Sequence, residues 1–327
     1  MVIFNKIKRI LLCFIIVLLS FCMMSCKSSL NNQYNMENIN LFLYEDNKER
    51  YSNAYSKNLF LPSVDKVVDA KGVTVDTYLL FSENADNSTI YKYKNVFTKR
   101  SIASLTKIIT LLTVLKECDD LSRKVTVSAN ATNLGVHSSM AGLKRGDEIS
   151  IEDLLYGLML PSGNDCAIVL AENVANSVDD FVLLMNRLAE NIGAVHSHFT
   201  NPHGLDDTYH YSTAFDIYLF MREGSKYELF NKIIGTSKYN ATVVSETGES
   251  RNIEWTQTNK YLNGEKQTKE NVSVIGGKTG STNNAGRCLS IFAKQNSSGE
   301  TFYAIVLNSA NDTAVYRNMD NLLATLY

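Results

Sequence analysis

Ser104 and Lys107 stand three residues apart in "ASLTKIIT", at the mouth of an otherwise apolar stretch. A serine hydroxyl is a weak nucleophile near neutral pH and needs a base beside it. On a helix this spacing puts both side chains on one face. A lysine held among apolar side chains has its pKa pushed down, because burial disfavours the charged form, and a neutral amine can take the serine proton. A helix N-terminus adds partial positive charge where an oxyanion would form. Two further clusters carry suitable groups. "PSGND" places Ser162, Gly163 and Asn164 in a turn, and "GGKTGS" places Lys278, Thr279 and Gly280 at the end of a strand.

Each cluster alone has a plain structural alternative. Ser104 and Lys107 suit a helix start with a snorkelling lysine, Ser162 to Asn164 an interhelix turn, and Lys278 to Gly280 a hairpin exit. Ser63 and Lys66 repeat the first spacing after Pro62, in a polar segment with no buried helix behind it. The chemistry therefore depends on elements that bring all three clusters together.

Those elements can be read from periodicity. "VTVDTYLLF" and "STIYKYKNVF" are rich in β-branched and aromatic residues around a turn-like "ENADN", which predicts a hairpin. Residues 102–118 are apolar on nearly every face, the pattern of a buried helix. Ser150 with Asp153 and Ser177 with Asp180 are capping-box starts for two more helices, the first stopped by Pro161. "DCAIVLAENVA" and "STAFDIYLFMREG" add further helices. "SVIGGKTG", "RCLSIFAK" and "TFYAIVLNS" read as strands with short turns, followed by a closing helix in "AVYRNMDNLLATLY". Consecutive strands with short turns imply an antiparallel sheet, and the helical middle must pack as its own layer or lobe.

The order Ser-x-x-Lys, Ser-x-Asn, Lys-Thr-Gly is that of penicillin-binding proteins and class A β-lactamases. "ASLTKIIT", "EDLLYGLMLPSGNDCAIVLAE", "FTNPHGLDD" and "GGKTGSTNNAGRCLS" together resemble the D-alanyl-D-alanine carboxypeptidases among the low-molecular-mass penicillin-binding proteins. The resemblance implies an α/β (α+β) fold of the β-lactamase/transpeptidase type: an antiparallel sheet flanked by helices, with an inserted all-helical lobe. It implies that Ser104 is acylated by the penultimate D-Ala carbonyl of a peptidoglycan stem peptide and that Lys107 is its base. Ser162 would pass a proton to the departing amine beside Asn164. Lys278 would hold that network, and Thr279 would bind the substrate carboxylate. The N–H groups of Ser104 and Ser281 would form the oxyanion hole, and Gly280 would let substrate lie along the edge strand. Two lysines in one cleft suit an anionic substrate and depress each other's pKa. β-Lactams are implied as covalent inhibitors.

Relatives often carry an arginine before the last helix that grips the carboxylate. The nearest here is Arg317, displaced along the chain. Many relatives also have a C-terminal β-rich domain and an amphipathic membrane-binding helix. Here the chain stops at Tyr327, and the anchor is expected at the N-terminus instead.

Rival functions share some of these motifs. A class A β-lactamase needs a glutamate to activate the deacylating water, and no glutamate occurs from Asn191 to Arg222. A DD-endopeptidase acting on crosslinks would use the same chemistry. A non-catalytic peptidoglycan or β-lactam sensor needs a signalling domain, and none is visible. His196, His198, His203 and His210 cluster as a metal site would, yet His198 and His203 fall inside a segment that matches the family. The resemblance implies no metal and no cofactor.

Composition bounds the rest. The chain has 327 residues, 45% hydrophobic and 20% charged, enough for one large domain. Lys6, Lys8 and Arg9 precede an apolar run from Ile10 to Met24 that ends "MMSC". The run has signal-peptide length, and Cys26 after Ser25 resembles a lipobox, with Met23 in place of the usual leucine. Loss of residues 1–26 removes three basic residues and no acidic one, taking the formal charge from −2 to about −5. That balance is not built for nucleic acid. The expected organisation is an export segment at 1–26, a polar tether at 27–60 and a catalytic domain at 61–327, exported to the outer face of the cytoplasmic membrane and either lipid-anchored at Cys26 or held or released by the signal segment. Outside the export segment, Cys118, Cys166 and Cys288 are widely spaced and form no disulfide framework.

Overall fold

The computed structural model describes residues 68–82, 90–135, 138–175, 177–268 and 271–326. The export segment, the tether, and the pair Ser63 and Lys66 lie outside the described residues.

The late strands pair with the early hairpin. β1 (Thr77–Ser82), β2 (Ile90–Lys94), β7 (Val272–Thr282), β8 (Gly286–Gln295) and β9 (Thr301–Ser309) form an antiparallel sheet in the order β2-β1-β9-β8-β7. β9 is apolar at nearly every position because both of its faces are covered. Phe302, Ala304 and Val306 pack with Val315, Met319 and Leu322 of the closing helix α7 (Asp312–Leu323). Tyr303, Ile305 and Leu307 face the helical side with Ile108, Leu111 and Leu112. β7, which carries Lys278 to Ser281, is an edge strand.

The buried helix of the sequence reading is α1 (Thr106–Glu117), shorter at its start than expected. Ala103 has φ +49, which breaks a regular helical ladder. Residues Ala103–Leu105 instead form a 3-10 turn, so Ser104 sits on the lip of the helix and Lys107 one turn inside it. Around α1 lie α2 (Ile151–Met159), α3 (Asn164–Val174), α4 (Val178–Asn191) and α5 (Ala214–Gly224). Ser150 and Ser177 accept hydrogen bonds from the backbone N–H groups of Asp153 and Asp180, as their capping boxes require.

The insert is not helical throughout. β3 (Lys124–Thr126), β4 (Glu148–Ser150), β5 (Lys238–Val244) and β6 (Ser250–Thr256) form a second antiparallel sheet, and α6 (Glu228–Gly235) is an additional short helix. Periodicity missed this sheet for physical reasons. β3 and β4 are three residues long, and β5 and β6 bury only Ala241, Val243 and Trp255. The sheet is tied to the helices by Tyr239. Its ring stacks on Tyr156 at 3.7 Å, and its hydroxyl donates to Asp153 Oδ1 at 2.6 Å.

Candidate active site

Three elements meet at Ser104. Lys107 from α1 is fully buried, and its Nζ lies 3.0 Å from Ser104 Oγ, 2.6 Å from Asn164 Oδ1 and 2.9 Å from the His203 carbonyl oxygen. The last two are pure acceptors. In its uncharged form the amine would donate to both carbonyl oxygens and turn its lone pair toward the serine hydroxyl. The pKa of Lys107 is lowered well below that of a free lysine, first by burial and then by Lys278 nearby. The site thus holds a serine beside a lysine whose charged form is disfavoured by burial.

Ser162 lies in the turn after α2, with φ +64, and is nearly buried. A non-glycine residue held in the left-handed region is strained and needs a reason to stay there. Lys278 supplies one: its Nζ donates to Ser162 Oγ at 2.9 Å and to the Thr279 carbonyl at 2.9 Å. Burial brings the pKa of Lys278 down to about 7. Thr279 is half-buried, its Oγ1 2.6 Å from Thr258 Oγ1. Gly280 must lack a side chain. A Cβ there would stand 2.8 Å from the Ile102 carbonyl oxygen and 3.2 Å from the Ser104 nitrogen.

Asp165 fixes the far wall. It is fully buried, and its carboxylate accepts from the N–H groups of Ala141, Gly142, Leu143 and Cys166 at 2.8–3.2 Å. That holds the loop carrying Ser138 and Ser139, which in turn bonds Asn164: Asn164 Nδ2 donates to Ser138 Oγ at 2.6 Å, and Asn164 N–H to the Ser139 carbonyl at 2.7 Å. Asp165→Ala strands four donors, three of them buried, and a loss of about 3 kcal/mol or more is expected. Denaturant titration checks this, with Asp165→Asn falling between the two because its amide keeps one acceptor.

Ser104, Ser162, Thr279, Gly280 and Ser281 line one cleft of about 260 Å³. Lys107 and Lys278 reach it through their bonds to Ser104 and Ser162, and Asn164 through its bond to Lys107. The structure thus gathers every residue that the motifs singled out. Arg317 is different: it is exposed on α7 and does not line the cleft. The arginine in the cleft is Arg287, at the start of β8, which pairs with Ser281 across the strands. Its Nη1 donates to Ser281 Oγ and its Nε to Asp312 Oδ1 at 2.6 Å. Sequence reasoning missed Arg287. Its position directly opposite Ser281 is set by the β7–β8 hairpin, which the two strand readings already implied. A second cavity of about 290 Å³, between α1, α4 and α5, has none of these residues.

The histidines are separate in role. His198 Nδ1 is 2.6 Å from the Tyr209 carbonyl oxygen, and His196 packs on Phe97 with ring centroids 5.5 Å apart. Burial lowers the pKa of His203 to about 3 and that of His210 to about 4.

An antiparallel sheet flanked by helices, a serine–lysine pair at the lip of a buried helix and a lysine on the edge strand are the arrangement that the order of the three motifs implied. A family model for D-alanyl-D-alanine carboxypeptidase (peptidase S11) matches residues 65–313. The chain is 32% identical over 214 residues to D-alanyl-D-alanine carboxypeptidase DacF of Bacillus subtilis, covering 64% of this chain but only 52% of that protein. It is 34% identical over 238 residues to the D-alanyl-D-alanine carboxypeptidase of Streptomyces sp. strain K15, covering 70% of this chain and 79% of that one. The crystal structure of the Streptomyces K15 DD-transpeptidase superposes with a TM-score of 0.67 at 32% identity, over 77% of this chain and 98% of that one. The chain belongs to the D-alanyl-D-alanine carboxypeptidase family.

Proposed function

We propose that this chain is a serine-type D-Ala-D-Ala carboxypeptidase that removes the terminal D-alanine of peptidoglycan stem pentapeptides through an acyl-enzyme on Ser104. The observation that carries the reading is the Lys107 amine, 3.0 Å from Ser104 Oγ with its other two neighbours both acceptors.

Lys107 takes the Ser104 proton as Oγ attacks the penultimate D-Ala carbonyl. The oxyanion is received by the N–H groups of Ser104 and Ser281. Ser162 accepts from Lys278, so it gives its own hydrogen to the departing D-alanine amine as Lys278 passes it one in return; in the hydrolysis that follows Lys278 takes a proton from the water and Lys107 returns its proton to Ser104. Asn164 orients Lys107 and lines the substrate path. Thr279, with Lys278 and Arg287 behind it, holds the terminal carboxylate, and Gly280 keeps the strand edge open for the peptide. Water then attacks the ester and the serine is regenerated. The family works on a wall polymer outside the cytoplasm, so residues 1–26 direct export. Cys26 carries the lipid anchor, and residues 27–60 tether the catalytic domain at 61–327 to the membrane.

β-Lactams acylate Ser104 and stay. Among the residues lining the cleft the one carboxylate is Asp312, and Arg287 already engages it, so no glutamate stands ready to activate a deacylating water. The test uses residues 27–327 with a stem pentapeptide ending in D-Ala-D-Ala and with labelled penicillin. D-alanine release together with a long-lived penicilloyl adduct is expected. Rapid turnover of a chromogenic cephalosporin would make the chain a β-lactamase. Penicillin labelling without D-alanine release would move the substrate to a crosslink, making the chain an endopeptidase.

A further inference from the structure

The residue before the nucleophile is itself strained. Ala103 has φ +49 and is fully buried. The left-handed conformation costs an L-residue about 1–2 kcal/mol, so its surroundings must impose it. Two contacts do. Thr106 Oγ1 donates to the Ala103 carbonyl oxygen at 2.9 Å. Gly204 presses on the same carbonyl so closely that a Cβ there would lie 2.0 Å from the oxygen.

Thr106 is in turn held by His210, whose Nε2 lies 2.8 Å from Thr106 Oγ1. The direction of that bond follows from the other side of the ring. His210 Nδ1 accepts the Thr200 N–H at 3.1 Å, so the proton of the neutral ring sits on Nε2. A directional chain results: Thr200 N–H to His210, His210 Nε2–H to Thr106, Thr106 O–H to the Ala103 carbonyl. A trans peptide is planar, so its C=O and N–H point in opposite directions. Pinning the Ala103 carbonyl therefore fixes the aim of the Ser104 N–H. Gly280, whose Cβ would stand 3.2 Å from that nitrogen, keeps space open beside it.

We infer that Thr106 and His210 are positioning residues that aim the Ser104 amide at the oxyanion of the acylation step. The inference rests on the reading of Ser104 as nucleophile. A misaimed oxyanion donor lowers the chemical step without weakening ground-state binding, because the charge develops only in the transition state.

The experiment measures the rate of acylation by a fluorescent penicillin, and kcat and KM for D-alanine release, in Thr106→Val, His210→Phe and the double variant, with melting curves. Each single variant is expected to lose about 10–100-fold in acylation, below the 10²–10³ of deleting an oxyanion donor outright, with KM nearly unchanged. The double variant should be no slower than Thr106→Val alone, since His210 acts through Thr106. Thr106→Ser and His210→Gln keep the donors and should recover most of the rate. Wild-type acylation in the single variants, multiplying losses in the double variant, or a rise in KM at constant kcat would each overturn the inference. If His210→Phe does not fold, Thr106→Val compared with Thr106→Ser decides the same point. Failure of the wild-type protein to take up penicillin would sink the Ser104 reading itself. Wild-type acylation alongside unaffected variants sinks only the positioning role.

Discussion

Ser104→Ala is expected to abolish both D-alanine release and penicillin labelling, with a fall in turnover of about four to six orders of magnitude. That is the range seen when an activated serine or its base is deleted from a concerted site. The variant should fold normally. Ser104 is only partly buried, and its hydroxyl makes one hydrogen bond, to an amine that keeps two other partners. The melting temperature should therefore shift by no more than a few degrees, as for a lost hydrogen bond of about 1 kcal/mol. Mass spectrometry of the intact protein after penicillin treatment gives the direct readout. Wild type gains one adduct on the peptide containing Ser104, and the variant gains none. Adduct formation in Ser104→Ala would place the nucleophile elsewhere, and Ser162, in the same cleft beside Lys278, would be the next residue to change.

The two kinds of information in this sequence differ in reach. Elements buried on one or both faces were legible: α1 from its apolar faces, β9 from its continuous run, α2 and α4 from their caps. The second sheet was not, because its short and largely exposed strands bury too little to leave a periodic signal. That Ser104, Lys107, Ser162, Asn164 and Lys278 meet at one site was legible from the types and order of their motifs. Arg287, Asp165 and the chain from Thr200 to Ala103 were not. Arg287 enters the cleft through strand pairing. Asp165 matters through backbone N–H groups far along the chain, which no side-chain pattern announces. The left-handed Ala103 runs against local preference, since an L-residue adopts that conformation only under tertiary constraint. Such local conflicts collect where the backbone has to serve the reaction.

Lys107 is expected to be as essential as Ser104, and to fail even when its charge is kept. Both lysines are fully buried, yet their settings differ. Lys107 faces two carbonyl oxygens and Ser104 Oγ, so under the proposed function its lone pair is what the reaction uses. Lys278 donates to Ser162 and to a carbonyl and serves as a cation and anchor. An arginine stays protonated at any working pH and has no lone pair to offer. Lys107→Arg should therefore lose about as much acylation as Lys107→Met, about four orders of magnitude or more. Lys278→Arg, which keeps charge and donors, should lose far less, about tenfold. If instead Lys107→Arg acylates well and Lys278→Arg is dead, the base is Lys278. The pH profile adds a sign. Protonating Lys107 removes the base, so acylation should fall on the acid side, at a pH well below the pKa of a free lysine. Losing the proton of Lys278, near pH 7, weakens the grip on an anionic substrate, so KM should rise on the alkaline side. Stability moves the other way. Between about pH 7 and the ordinary lysine value of 10.5 the unfolded chain binds a proton that the folded chain has shed, so folding stability rises with pH through that window. Lys278→Met should make that rise shallower, Lys107 supplying the remainder, which urea titrations at pH 7 and pH 10 can measure. An unchanged slope in the variant would mean that Lys278 keeps its proton in the folded protein up to the ordinary lysine range, and the alkaline rise in KM would then need another source.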